Sequence, residues 1–528
     1  MKFDKKHLGY ILSCLYLFCL FSYVAYNNWQ SYGLDSMDLK SIIGIAVKSL
    51  TNVSLIALVL YTLRHWFFKA LVLPAILIVI IGLFYIAEQY GAFSEGIFGS
   101  LLETNANESK EMLSSAAISL NLLIVSILTP IALYLMSNIR VRYQGRFITV
   151  NLMACCLILA KSASGDIPSL NDKGEYKVVK ISPVEYIIRK TALLKPIYLY
   201  KNYSILREIE NKPIVPSWQD VRINDGAKSK AYVVILGESL GYSDLIFNTS
   251  RDHSPLNEIK NLAIYEKAIS PSVVTRFSVP SLLSLQNEQD LIDSDFNIID
   301  LAKVAGYRTY WISNQSKTGA HDSQISNISK QADVVEYFND GYANAGSDFK
   351  LLDALKNNLA AGSIYFLHMI GNHPDFCKRA SNMPYHLPIE LTSPEKESDC
   401  FNKVTFNTEV FLKEVYQYLE QQSFEYEVIF LSDHGLAHVD YPPYRAHAGG
   451  KLFSEEAIHV PFYMFGSSVK GRSYEKAPYF LRDFPHTFSE WIGVSAAQIV
   501  KNKSSLNPLR SQEAYVRTDS GRKVYLNE

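Results

Sequence analysis

The stretch YEVIFLSDHG, residues 426–435, is an apolar, β-branched and aromatic run that stops abruptly at Asp-His-Gly. A short run of this kind, ended by polar residues and glycine, reads as a strand buried on both faces. Four more segments share the pattern: AYVVILGES (231–239), RTYWIS (308–313), GSIYFLHMIG (362–371) and AIHVPFYMFG (457–466). Helical patterns separate them, and strands alternating with helices predict an α/β domain around a mostly parallel central sheet. Ligands of such sheets bind beyond the carboxyl ends of the strands. Glu238 stands there after VVILG, Asp433 and His434 after VIFLS, and His373 after FLHMIGN. A strand-end acid alone is more often a helix cap or a surface group. Two carboxylates and imidazoles converging from separate strand ends, however, are zinc-ligand types, and a hydroxyl beside them would be a metal-adjacent nucleophile.

Working outward, the chain has 528 residues, too many for one ordinary domain, and a net charge of -1. The apolar residues crowd the first third, where five runs approach the roughly 20 residues needed to span a bilayer. They cover 8–26, 41–61, 67–87, 116–136 and 147–163. Lys48 and Asn52 interrupt the second, for which a buried or amphipathic helix is the alternative. The first has too long an apolar core, with no small-residue cleavage site close behind it, for a cleaved signal peptide.

Short cytoplasmic loops are enriched in Lys and Arg. Lys2, Lys5 and Lys6, then Arg64 and Lys69, then Arg140, Arg142 and Arg146 mark one side, whereas 27–40 and 88–115 are acidic or mixed. The N-terminus is therefore expected in the cytoplasm, and everything after about 164 outside it. Disulfides persist in such a compartment, and the only cysteines there are Cys377 and Cys400, whose separation suits a bridge, with two free thiols as the alternative. Three divisions are expected: a membrane domain over 1–164, a linker over 165–230 along the membrane surface with a helical pattern near 183–210, and a catalytic domain over 231–528. The exported part has no basic stripe, so no nucleic-acid partner is expected.

SPSVVTRFSVPSLLS, residues 270–284, sets a hydroxyl at every third position from Ser272 to Ser284. Proline is best tolerated in a helix's first turn, so Pro280 places Ser281 and Ser284 inside a following helix. Ser272, Thr275 and Ser278 remain near its entrance, where free N–H groups suit a phosphate.

GES after a strand, TRFSVPSLLS, HMIGNH and LSDHG, in that order and after five spans, resemble the membrane-bound phosphoethanolamine transferases of Gram-negative bacteria. Their catalytic domain is of the alkaline phosphatase and sulfatase type. The resemblance implies one Zn²⁺, and allows a second, with Glu238, Thr275, Asp433 and His434 as ligands and Thr275 as nucleophile. It implies phosphatidylethanolamine as donor, diacylglycerol as product, and lipid A, a lipopolysaccharide core sugar or a periplasmic glycan as acceptor. It matches His373 and His447, with His438 as competitor for the latter, to phosphate-binding histidines. It matches Thr104 and Glu108 in LLETNANES to lipid-headgroup contacts, although Ser100 stands where the family has Asn. The implied location is the bacterial inner membrane, with the catalytic domain in the periplasm. Ser281 stands where members acting on lipid A often carry Cys, and His373 is followed by Pro374 and Asp375 rather than Gly-Pro. A phosphoglycerol transferase or a sulfatase or phosphodiesterase of the same superfamily is the alternative, but Leu282 stands where a sulfatase motif has Arg.

Overall fold

The computed structural model describes the chain apart from residues 1–4, 31–36, 64, 92, 94, 104–118, 139–143, 162–165, 171–175, 181, 211, 288–290, 317–323, 340–345, 374–375, 441–442, 447–453, 519–522 and 527–528. It forms two compact units, one mainly from 1–99 and 116–209, the other mainly from 210–448 and 453–528.

The first unit is helical. α1 (Lys5–Gln30), α2 (Leu39–Thr62), α3 (Trp66–Tyr90) and α4 (Leu120–Asn138) are each long and apolar enough to cross a membrane. α5 (Gln144–Lys161), where a fifth span is expected, carries a shorter apolar stretch, Ile148–Ala160. The described residues thus include four helices of spanning length and a fifth that is shorter. Asp38 caps α2 by accepting the Ser41 N–H at 2.8 Å, satisfying one of the donors a helix start leaves open. Leu17 and Phe21 of α1, Ile56 and Leu60 of α2, Leu83 and Phe84 of α3, and Leu133 and Met136 of α4 pack into one core. Between Tyr16 and Thr129 a hydroxyl pair at 2.8 Å ties α1 to α4. The expected linker includes a hairpin, Asp166–Leu170 with Tyr176–Lys180, then α6 (Pro183–Lys190) and α7 (Lys195–Glu210).

The second unit is built on eight strands: β1 (Ala231–Gly237), β2 (Leu262–Tyr265), β3 (Arg308–Ser316), β4 (Val334–Asn339), β5 (Ser363–His368), β6 (Tyr426–Ser432), β7 (Phe462–Gly466) and β8 (Arg472–Glu475). Their order is β4-β3-β5-β1-β6-β7-β2-β8. Neighbours from β4 through β6 are parallel, β7 runs against both β6 and β2, and β8 is parallel to β2, so the sheet is mixed. The segment 457–466 is strand only in its second half; Glu455–Ile458 is a single helical turn.

Strand side chains alternate between the two faces. Val234, Leu236, Phe366 and Leu431 enter one core with Val279 and Leu282 of α8 (Thr275–Leu283). Val233, Ile235, Leu367 and Phe430 enter the other, with Phe411, Leu412 and Val415 of α10 (Lys396–Leu419). With every residue of β1 and β6 buried, neither strand can show a polar face. That explains why both read as continuous apolar runs.

Candidate active site

The pairing of β1 with β6 sets Gly237 opposite Ser432, so the next residues out, Glu238 and Asp433, emerge side by side at the carboxyl end of the sheet. One side-chain donor atom from each of Glu238, Asp433 and His434 falls within 4.8 Å of the others, and all three residues are buried. Two glycines make this convergence possible. A Cβ at Gly371, which has φ +46°, would meet the Glu238 carbonyl at 2.7 Å, and one at Gly435 would meet the Glu456 carbonyl at 2.1 Å. Ser239 holds a φ of 56°, rare for a residue with a side chain. From there its N–H donates to Asp433 Oδ1 at 3.1 Å and its hydroxyl donates to Glu238 Oε1 at 2.6 Å.

Thr275 opens α8, which begins five residues before Pro280 rather than at it. Ser284 consequently falls after the helix, at the start of a short strand. The Thr275 hydroxyl sits 3.1 and 3.2 Å from the two Glu238 carboxylate oxygens and 3.1 Å from His434 Nε2. Ser278, by contrast, is fully buried and donates to the Asp433 carbonyl, while the Ser272 hydroxyl is fully buried without a partner.

Several features fit a divalent cation at this place. His434 Nδ1 lies 2.8 Å from the Gly435 carbonyl, which accepts its proton and leaves the Nε2 lone pair facing the carboxylates. Asp433 Oδ1 accepts the Ser239 and His434 N–H groups, but Oδ2 is buried without a hydrogen-bond partner. Burial, and then the Asp433 charge, push Glu238 up to about 8, and burial pushes Asp433 up to about 6. Two carboxylates that resist ionising together are stabilised by a cation between them. With the Thr275 oxygen, the group offers one nitrogen and oxygen donors in the number Zn²⁺ takes.

Gln315, at the end of β3, was not among the residues singled out from sequence. It is buried, donating through Nε2 to Glu238 Oε2 at 3.1 Å and to the Met369 carbonyl at 2.8 Å. The only sequence signal for it is its place, two residues past Ser313, which pairs with the last residue of β5. Gln315→Leu is expected to weaken metal retention about 10- to 100-fold, the usual cost of losing an outer partner of a ligand. Competition against a chelator of known affinity measures it, and unchanged retention would remove Gln315 from the site.

Among the described residues His373 does not join the ligand group; its carbonyl accepts from Arg379 Nε, and its Nδ1 lies 3.5 Å from Arg379 Nη2. His438 Nε2 faces Asp244 Oδ1 at 3.3 Å, and the His438 side chain is 45% exposed. Thr104, Glu108 and His447 lie outside the described residues.

Cys377, on α9 (Phe376–Ser381), and Cys400, near the start of α10, form a disulfide with their Cα atoms 4.8 Å apart. Beside it, Phe376, Phe401 and Leu436 make a small buried cluster, and Leu436 stands two residues after His434. Replacing both cysteines with serine releases a crosslink between residues 23 apart. A loop of that length is expected to lose about 3 kcal/mol of stability. A lower urea midpoint for the double variant, matched by the parent protein under reductant, is the expected reading.

A strand-end carboxylate and imidazole group thus stands beside a helix-borne hydroxyl at the carboxyl end of an α/β sheet, where ligands of such sheets bind. A sulfatase family model matches residues 230–494. The chain belongs to the sulfatase family, and the relatives it resembles are phosphoethanolamine transferases. It is 25% identical over 431 residues to phosphoethanolamine transferase OpgE of Escherichia coli K12, covering 79% of this chain and 78% of that one. Phosphoethanolamine transferase EptC of the same organism is 22% identical over 462 residues, again covering 79% and 78%. Among solved structures, the integral membrane lipooligosaccharide phosphoethanolamine transferase A of Neisseria meningitidis superposes with a TM-score of 0.62. That match covers 94% of this chain and 97% of that one at 16% identity, a likeness of fold.

Proposed function

We propose that the protein transfers phosphoethanolamine from phosphatidylethanolamine to a lipopolysaccharide acceptor, lipid A or a core sugar, or to a related periplasmic glycan, and releases diacylglycerol. The observation that carries this reading is the Thr275 hydroxyl within hydrogen-bond reach of both Glu238 and His434, beside the unpartnered Asp433 Oδ2.

Thr275 Oγ1 attacks the donor phosphorus, a bond from oxygen to phosphorus forms, and the bond to the diacylglycerol oxygen breaks. The threonine proton leaves with diacylglycerol. An acceptor oxygen then attacks the phosphoethanolamine-threonine, and Thr275 regains a proton. Glu238, Asp433 and His434, with Thr275, would hold one zinc ion, which when bound lowers the hydroxyl's pKa and offsets charge on the phosphoryl oxygens. Thr275 opens α8, so the positive end of that helix would favour the phosphoryl group's negative charge. His373 and His447 assist phosphate binding, and Thr104 and Glu108 contact the donor headgroup.

The supporting arrangement is an inner-membrane protein with five spans over 1–164, the N-terminus in the cytoplasm, 165–230 along the membrane surface, and 231–528 in the periplasm. Purified full-length protein given a fluorescent phosphatidylethanolamine, with parallel metal analysis, tests the reaction. Labelled diacylglycerol and bound zinc are expected; the absence of both would overturn it. The acceptor follows from mass spectrometry of lipopolysaccharide and glycans from a strain lacking the protein.

A further inference from the structure

Lys48 lies within α2 between two anchor points. On one side Val47 packs with Cys155 and Leu159 of α5 against Tyr186 and Ile187 of α6. On the other, Asn52 Oδ1 accepts the Leu193 N–H at 3.0 Å. These contacts draw α6 and the turn after it across the part of α2 that carries Lys48. Lys190 ends α6 and Lys195 begins α7, so three lysines, each half-buried, gather at one junction of the helical unit. Lys195 Nζ has Asn28 Oδ1 at 3.3 Å. Among the described residues neither Lys48 nor Lys190 has a carboxylate partner. Burial, and then the charges of Lys48, Arg189 and Lys195, push the Lys190 ammonium down to about 8, as like charges gathered without an acid do. Next in sequence, Thr191 is fully buried and its hydroxyl has no hydrogen-bond partner.

Cations held together away from bulk water need an anion, and an ionisable residue inside a spanning helix marks a functional site. Lys48 stands about 13 Å along α2 from its first residue, where the long side chain reaches back toward headgroup level. The anion a membrane protein meets at that level is a lipid phosphate. In the orientation proposed above, these lysines would occupy the exported side, against the usual bias of positive charge, so topology does not account for them.

We propose that Lys48, Lys190 and Lys195, with the Thr191 hydroxyl, form a binding site for the phosphate of a phospholipid headgroup. The site is tested on the full-length protein by native mass spectrometry with phosphatidylethanolamine, phosphatidylglycerol and diacylglycerol, the last having no phosphate. One equivalent of phospholipid should be retained, and diacylglycerol at least tenfold more weakly. Lys48→Gln combined with Lys190→Gln should lose retention at least tenfold, whereas the two Lys→Arg changes should keep it. Preference for phosphatidylethanolamine would identify the donor lipid as the occupant, and equal retention of phosphatidylglycerol a general membrane phosphate; both support the site. Equal retention of diacylglycerol by the parent protein would overturn the proposal even if the glutamine variant failed to fold, as would a folded glutamine variant that holds phospholipid like the parent. Binding is read without turnover, so a parent protein that holds phospholipid but transfers nothing would sink the transferase reading and leave this site standing.

Discussion

Thr275→Ala is expected to lower transfer by roughly a thousandfold or more, since a nucleophile's loss leaves only binding and electrostatic stabilisation. The residue is half-buried at the start of α8, so losing its hydroxyl and methyl costs little packing. Neither neighbouring serine can substitute, because Ser278 is committed to the Asp433 carbonyl and Ser272 is sealed in the core. Thr275→Ser keeps an oxygen near Glu238 and His434 and should retain measurable transfer. Intact mass spectrometry after mixing with donor should show one phosphoethanolamine adduct on the parent protein and none on the alanine variant. A fully active Thr275→Ala protein, or an adduct on another residue, would remove Thr275 from the chemistry.

That assignment was half legible in the sequence. β1 and β6 announce themselves because both faces are buried, and their register then puts Glu238 beside Asp433 with no further information. The start of α8 was not legible: Pro280 sits inside the helix, where it forfeits one backbone hydrogen bond that tertiary packing of Val279 and Leu282 offsets. β2, β4 and β8 were not read as strands: β2 and β8 have four residues each, β4 carries Glu336 and Asn339 in its run, and what fixes all three is pairing across the sheet rather than local pattern. The reversed direction of β7 leaves no trace in composition. Gln315 carries no charge to attract notice, and its partner Glu238 is 77 residues away in sequence. Lys48 read only as a flaw in a span; its meaning depends on α6, which joins it through contacts from the far end of the helical unit.

Asp433→Asn should separate the metal's role from that of the scaffold. Asparagine keeps the shape and can still accept the Ser239 and His434 N–H groups that Oδ1 now receives. It takes the negative charge from the buried oxygen that has no hydrogen-bond partner and lies 3.5 Å from His434 Nε2, so metal retention should fall by more than the 10- to 100-fold typical of an outer-partner loss. Transfer should fall with it. The parent protein after chelation should show the complementary pH signature. Burial, and then the Asp433 charge, push its Glu238 from the ordinary 4.5 of the unfolded chain up to about 8 in the folded protein. Between those values the folded state binds more protons than the unfolded one, so the stability of chelated protein falls as pH rises. A bound cation takes the protons' place, and the difference in Tm between metal-loaded and chelated protein should widen from pH 5 to pH 8. In Asp433→Asn one of the two repelling carboxylates is gone, so the chelated variant should lose less stability over the same range than the chelated parent. A Tm difference that stays constant with pH, or an asparagine variant that holds metal like the parent, would mean that Glu238, Asp433 and His434 do not form a cation site.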